Sequence, residues 1–152
     1  MVMIAAPHSS GWDAVWGMAV KEAMGLEIVF IGKAELFKGP LGWVLRKLGG
    51  RPVDRSAPGD IIEQIAAQIR SSEKMWFVLA PEGTRKRVQH WKPGFWKIAR
   101  KAEVPVCCAW FHYPTKTIGA GPLLYLTDDF ESDMKRIREF YRPYMGKNRG
   151  TE

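Results

Sequence analysis

Val2-Met3-Ile4-Ala5-Ala6-Pro7-His8-Ser9-Ser10-Gly11-Trp12-Asp13 is the stretch that decides the fold. Val2 to Ala6 is an apolar run of strand length and reads as a short buried strand. Pro7 stops it, because proline cannot donate to a sheet ladder. Ser10 can cap a helix that begins with Trp12. His8 then sits where a strand ends and a helix begins, the edge of an open α/β sheet at which ligands bind. His8 and Asp13 are five positions apart, so they cannot share one face of a single helix. A loop histidine and an aspartate in the first helical turn can still meet. The carboxylate would then fix the imidazole tautomer and stabilise the imidazolium. A purely structural reading stands beside this one. Ser10-Gly11-Trp12-Asp13 also matches a capping box, a serine with an acid three residues later. In that case Asp13 does no more than cap the helix and favour its dipole.

A second segment repeats the construction: Met75-Trp76-Phe77-Val78-Leu79-Ala80-Pro81-Glu82-Gly83-Thr84-Arg85. Again an apolar strand runs into Ala-Pro and then into polar residues. Two strands that stop in the same way can deliver both loops to one sheet edge. Gly83 allows positive φ or close approach. Thr84 offers a hydroxyl, and Arg85 a planar fork suited to phosphate. Taken alone, the loop also reads as a solvated turn with an ion pair.

These residues resemble the glycerolipid acyltransferase family, typified by the 1-acyl-glycerol-3-phosphate acyltransferases. Its first motif, a histidine and an aspartate with four residues between them, is matched by His8 and Asp13. Its third, Glu-Gly-Thr-Arg after an apolar strand and often a proline, is matched by Pro81 to Arg85. The second is similar to Gly32-Lys33-Ala34-Glu35-Leu36-Phe37, continuing through Gly50-Arg51-Pro52-Val53-Asp54-Arg55. The fourth, an apolar strand with an internal proline, is matched by Val104-Pro105-Val106. All four stand in family order. Many members carry membrane-spanning or amphipathic helices before the histidine motif. Seven residues precede His8 here, so the chain looks most like the compact bacterial members.

The resemblance implies a single α/β domain over residues 1–145, with a largely parallel mixed sheet flanked by helices. It also implies acyl transfer from a thioester, acyl-CoA or acyl carrier protein, to the hydroxyl of a lysophospholipid. The acceptor it points to first is 1-acyl-glycerol-3-phosphate, and another lyso-lipid such as a lyso-ornithine lipid is the alternative. His8 is then the general base and Asp13 its partner. Arg85 and Thr84, with Gly83, Lys33 and Arg55, hold the acceptor's phosphate. Glu82 is grouped with them and is expected to order the loop by pairing with a cation. No cofactor and no metal is implied.

Composition sets bounds around this reading. The 152 residues support one domain with a real core. No apolar stretch approaches the roughly 18 residues that read as a membrane-spanning helix, and no basic run precedes an apolar one as in a signal peptide. Cys107 and Cys108 are adjacent in an expected strand and read as small buried apolar residues of a cytosolic chain. The net charge is +7, with basic clusters at Lys38 to Arg55 and Arg85 to Lys101. Such charge favours an anionic membrane surface, coenzyme A phosphates, an acyl carrier or nucleic acid. A basic nucleic-acid-binding module is the alternative of another class, supported by charge and tryptophan but by no motif. Leu36 to Lys47 mixes Phe37, Trp43 and Leu45 with Lys38, Arg46 and Lys47, a composition suited to a bilayer interface. A peripheral place on the inner face of the cell membrane is therefore expected. Trp91 to Lys97 reads instead as ordinary packing.

The rest of the chain alternates strand and helix. Helices are expected near 11–24, 40–48, 93–102 and 129–141, with a clear one after Pro58 in which Ile61, Ile62, Ile65 and Ile69 recur at helical spacing. Strands are expected at 27–31, 75–80, 104–111 and 122–127, and a frayed tail at 146–152. Gly25 to Lys33 lacks the spacing of a nucleotide phosphate loop, and no Gly-x-Ser-x-Gly elbow is present. His8, His90 and His112 have no zinc spacing.

Overall fold

The structure, a computed structural model, describes residues 1–53 and 58–151. In chain order the elements are β1 (Val2–Ala6), α1 (Trp12–Met24), β2 (Ile28–Lys33), α2 (Gly39–Lys47) and β3 (Gly50–Val53). They continue with α3 (Pro58–Arg70), β4 (Trp76–Leu79), α4 (Gly94–Ala102), β5 (Val106–His112), β6 (Thr117–Leu124) and α5 (Phe130–Tyr141). The strands form one sheet in the order β3-β2-β4-β1-β5-β6. Every neighbouring pair is parallel except β5 and β6, which are antiparallel. This is the expected α/β architecture, a mostly parallel sheet flanked by helices.

The two Ala-Pro strands are neighbours. Val2, Met3 and Ile4 of β1 pair in parallel with Phe77, Val78 and Leu79 of β4. Pro7 and Pro81 therefore leave the sheet side by side at the same edge, with the histidine loop beside the Glu-Gly-Thr-Arg loop.

Alternation along β1 and β5 sorts side chains between two faces. Val2, Ile4, Ala6, Val106 and Cys108 join the main core with Ile65 and Ile69 of α3, Phe95 and Ile98 of α4, and Ile137 and Tyr141 of α5. The Tyr141 hydroxyl lies 2.8 Å from the carbonyl oxygens of Ile4 and Ala109, so it fastens α5 across two strands. Met3, Cys107 and Phe111 are buried on the other face. There α1 comes close enough that a Cβ on Gly17 would lie 3.9 Å from the Phe111 ring. Both cysteines are buried, as expected of small apolar residues.

Three boundaries differ from the sequence expectation. Gly50–Val53 is a strand of its own, and it carries Pro52 because β3 is an edge strand, where a missing donor costs little. β2 runs on through Gly32 and Lys33 instead of stopping there, because both pair with β3. The last strand is 117–124 and not 122–127. It follows a tight turn in which the Lys116 N–H donates to the Tyr113 carbonyl. Gly119 fits under Trp110, where a Cβ would come within 2.3 Å of the indole.

The tail is a correction of another kind. Residues 146–151 do not fray but fold back over the first loop. Met145 forms a bridge with Gly150, and Asn148 and Arg149 hydrogen-bond to residues 8 and 9. The hydrogen-bonding capacity of Asn148 and Arg149 explains this: they satisfy loop carbonyls that no strand reaches.

Candidate active site

The loop after β1 is built around one carboxylate. Asp13 is 2 % exposed. Its Oδ2 accepts from the N–H groups of Ser9 and Ser10, each at 2.8 Å, and lies 3.2 Å from His8 Nδ1. Its Oδ1 accepts from the Tyr113 hydroxyl at 2.7 Å. Burial pushes the Asp13 carboxyl up. The bonds from His8, Tyr113, Ser10 and Ser9 outweigh that and hold it below the ordinary value of 3.8. Asp13 is therefore an anion at neutral pH. The same anion and burial work on Tyr113: burial first, then the bond to the carboxylate, push its phenol up to about 12.

The capping and catalytic readings of Asp13 turn out to be compatible. The Ser10 N–H bond is the return half of a capping box, and Ser10 Oγ accepts from the Trp12 N–H at 3.2 Å. The cap holds the carboxylate still, and its remaining lone pairs face His8 and Tyr113. Among the described residues nothing bonds His8 Nε2. With Nδ1 turned to the carboxylate, Nε2 is the nitrogen left to meet a substrate, on a side chain that is 27 % exposed.

The second loop packs against the first through Glu82. This residue is 1 % exposed. Its Oε2 accepts from the His8 N–H at 2.8 Å and its Oε1 from Arg149 at 3.1 Å. The expected cation is thus Arg149. Both oxygens are engaged inside the protein, so Glu82 braces the loop. Gly83 has φ +66°, and a Cβ there would come within 2.8 Å of the Lys92 side chain. Thr84 Oγ1 accepts from the Lys86 N–H at 3.2 Å. Arg85 is exposed, and its Nη1 lies 3.4 Å from where a Cβ on Gly11 would sit, beside the start of α1. Lys33 ends β2, which neighbours β4, so its backbone reaches the same sheet edge. Arg55 lies outside the described residues.

Sequence reasoning missed Tyr113, Asn148 and Arg149. Tyr113 follows the last residue of β5 and lies 100 positions from Asp13; only the β1–β5 pairing brings them together. No local pattern marks any of the three.

A family model described as Acyltransferase matches residues 1–112. The chain belongs to the acyltransferase family. The match takes in both loops, from His8 and Asp13 to Arg85, and makes this protein an enzyme that transfers acyl groups. No curated protein and no solved structure matches the chain.

Several large apolar side chains are exposed on α1 and in the 36–47 stretch. Trp12, Val15 and Trp16 on α1 are each about half exposed, and Lys147 Nζ sits 5.3 Å from the Trp12 ring centroid. In the 36–47 stretch Leu36, Leu41, Trp43 and Val44 are exposed, whereas Phe37 is buried and packs under Arg46. Trp91 and Phe95 are buried, so 91–97 is ordinary packing as expected. Among the described residues no helix is long and apolar enough to cross a membrane.

Proposed function

We propose that this acyltransferase moves a fatty acyl group from acyl-CoA or acyl carrier protein to the hydroxyl of a lysophospholipid, with 1-acyl-glycerol-3-phosphate as the acceptor. The observation that carries the reading is the buried, ionised Asp13 held 3.2 Å from His8 Nδ1. A neutral His8 takes the acceptor's hydroxyl proton at Nε2 as the oxygen attacks the thioester carbonyl. The new C–O bond gives a tetrahedral intermediate. Its collapse breaks the C–S bond, and the imidazolium returns the proton to the leaving sulfur. Asp13 stabilises the imidazolium in between. Ser9 and Ser10, the hydroxyls nearest in sequence, are buried and each accepts a backbone N–H, which favours direct transfer over an acyl-serine.

Arg85 binds the acceptor's phosphate, with Thr84, Lys33 and Arg55 as the further residues the family resemblance assigns to it. Its exposed guanidinium stands next to the start of α1, where a helix N-terminus also favours an anion. The exposed tryptophans and aliphatic residues among lysines and arginines support peripheral work at an anionic membrane, on the inner face of the cell membrane, where such substrates lie.

The test is to incubate the protein with acyl-CoA or acyl carrier protein and a panel of lyso-lipids, including a lyso-ornithine lipid, and to weigh the products. Diacylated phosphate product is the expected result. Acylation of phosphate-free acceptors alone would overturn the acceptor assignment.

A further inference from the structure

Residues 145–151 lie beyond the family match, which ends at residue 112. They nevertheless complete the site. Gly146 N–H donates to the Arg149 carbonyl at 2.9 Å, closing a turn that sets Asn148 and Arg149 over the histidine loop. Asn148 Nδ2 donates to the Ser9 carbonyl at 2.7 Å, and its backbone N–H to Ser9 Oγ at 3.2 Å. An arginine side chain has five N–H donors, and Arg149 uses all of them. Nη2 donates to the His8 carbonyl at 3.2 Å and to the Lys86 carbonyl at 2.8 Å. Nη1 donates to Glu82 Oε1 at 3.1 Å and to the Gly150 carbonyl at 2.8 Å. Nε donates to the Arg85 carbonyl at 3.4 Å. The side chain is 16 % exposed, and its carboxylate partner is fully buried.

Three of those acceptors belong to the Glu-Gly-Thr-Arg loop and one to the residue that carries the imidazole. His8 and Glu82 are 74 positions apart and meet at the His8 N–H. Arg149 holds the other side of both residues, the His8 carbonyl and the second Glu82 oxygen. We infer that Arg149 is a positioning residue for acyl transfer: it clamps the two loops together and so fixes His8 Nε2 relative to Arg85. The inference rests on the reading of His8 as the base. Lysine supplies a charge for Glu82 but only three donors on one nitrogen, so it cannot serve all five of these acceptors at once.

The experiment compares wild type, Arg149→Lys, Arg149→Ala and His8→Ala by thiol release from acyl-CoA with a lysophospholipid acceptor, beside thermal unfolding of each. Arg149→Lys keeps a cation by Glu82 and stays folded. Its kcat is expected to fall about 10²-fold, the effect of misplacing a reacting group by about an ångström, with acceptor KM little changed. Arg149→Ala loses as much or more and regains turnover when guanidinium ions, but not ammonium ions, are added at low, non-denaturing concentration. A purely structural residue would lower the melting temperature without such a rescue. Near wild-type kcat in a folded Arg149→Lys protein overturns the clamp, and so does failure of guanidinium to restore folded Arg149→Ala. If Arg149→Ala does not fold, the Arg149→Lys kcat decides. The His8→Ala arm separates the two ideas: activity retained there refutes the base assignment, while activity lost there and kept in Arg149→Lys refutes the clamp alone.

Discussion

Replacing Asp13 by asparagine removes a charge and keeps a shape. An amide oxygen at the place of Oδ2 still accepts from Ser9 and Ser10, whose N–H groups are 2.8 Å away. The amide nitrogen then faces the Tyr113 hydroxyl across 2.7 Å, and the hydroxyl turns to accept. The loop survives, and the negative charge beside His8 is gone. A hydrogen bond to a charged group contributes about 1.5–3 kcal/mol against about 0.5–1.5 for a neutral pair, so the weakened bonds lower stability by about 1–3 kcal/mol. Turnover suffers more. An imidazolium without its carboxylate forfeits about 10²–10⁴-fold in kcat, or about 3–5 kcal/mol of barrier. Asp13→Asn should therefore be folded and nearly inactive. Thiol release with a lysophospholipid acceptor reads the first quantity and denaturant unfolding the second. The pH dependence gives an internal check. The folded carboxyl sits below 3.8, so its contribution is present above that value and lost as pH falls through the folded pKa. The stability gap between wild type and Asp13→Asn should hold at neutral pH and shrink in acid below 3.8. A folded Asp13→Asn protein with near wild-type turnover would refute the reasoning and leave Asp13 as a helix cap.

Tyr113→Phe deletes one of the bonds to Asp13 and should lower kcat by about tenfold, roughly 1.4 kcal/mol; in the near-ultraviolet, the wild-type minus mutant titration should place this phenol's ionisation at about 12, neutral below that and charged above it. An unchanged kcat, or a midpoint at an ordinary tyrosine value, would contradict the bond. Arg85→Ala should raise the acceptor KM with a smaller effect on the acyl donor, because alanine removes the bidentate fork that Arg85 offers the phosphate. An equal defect with a phosphate-free acceptor would count against that role. The protein should sediment with anionic vesicles at low salt, and Lys38→Glu/Arg46→Glu should weaken this by about 1 kcal/mol per basic residue. Equal sedimentation of the double mutant would place the contact elsewhere, with Trp12 and Trp16 the next residues to change.

Much of this site was legible because its first half is local in sequence. A strand of five apolar residues, a proline and a capped helix put His8 and Asp13 within reach of each other wherever the rest of the chain goes. The repeat of Ala-Pro at residue 80 then predicts a second loop at the same edge, which the parallel β1–β4 pairing delivers. The helices were legible from period alone, as in Ile61, Ile65 and Ile69 of α3. The edge strands were not, because β3 and β6 carry proline and glycine that solvent-facing ladders tolerate and propensity does not. Arg149 was hidden for a different reason. Gly146-Lys147-Asn148-Arg149 has no apolar residue to mark it as packed, and what orders it is hydrogen bonding to carbonyls more than 60 positions away.

If His8 is the base for acyl transfer, His8→Ala removes the group that takes the proton. The measurement is kcat for acylation of the lysophospholipid by acyl-CoA, on protein whose unfolding transition matches wild type. A loss of at least ~10²-fold is expected, the usual contribution of a positioned general base. Near wild-type turnover by the folded His8→Ala protein would contradict it.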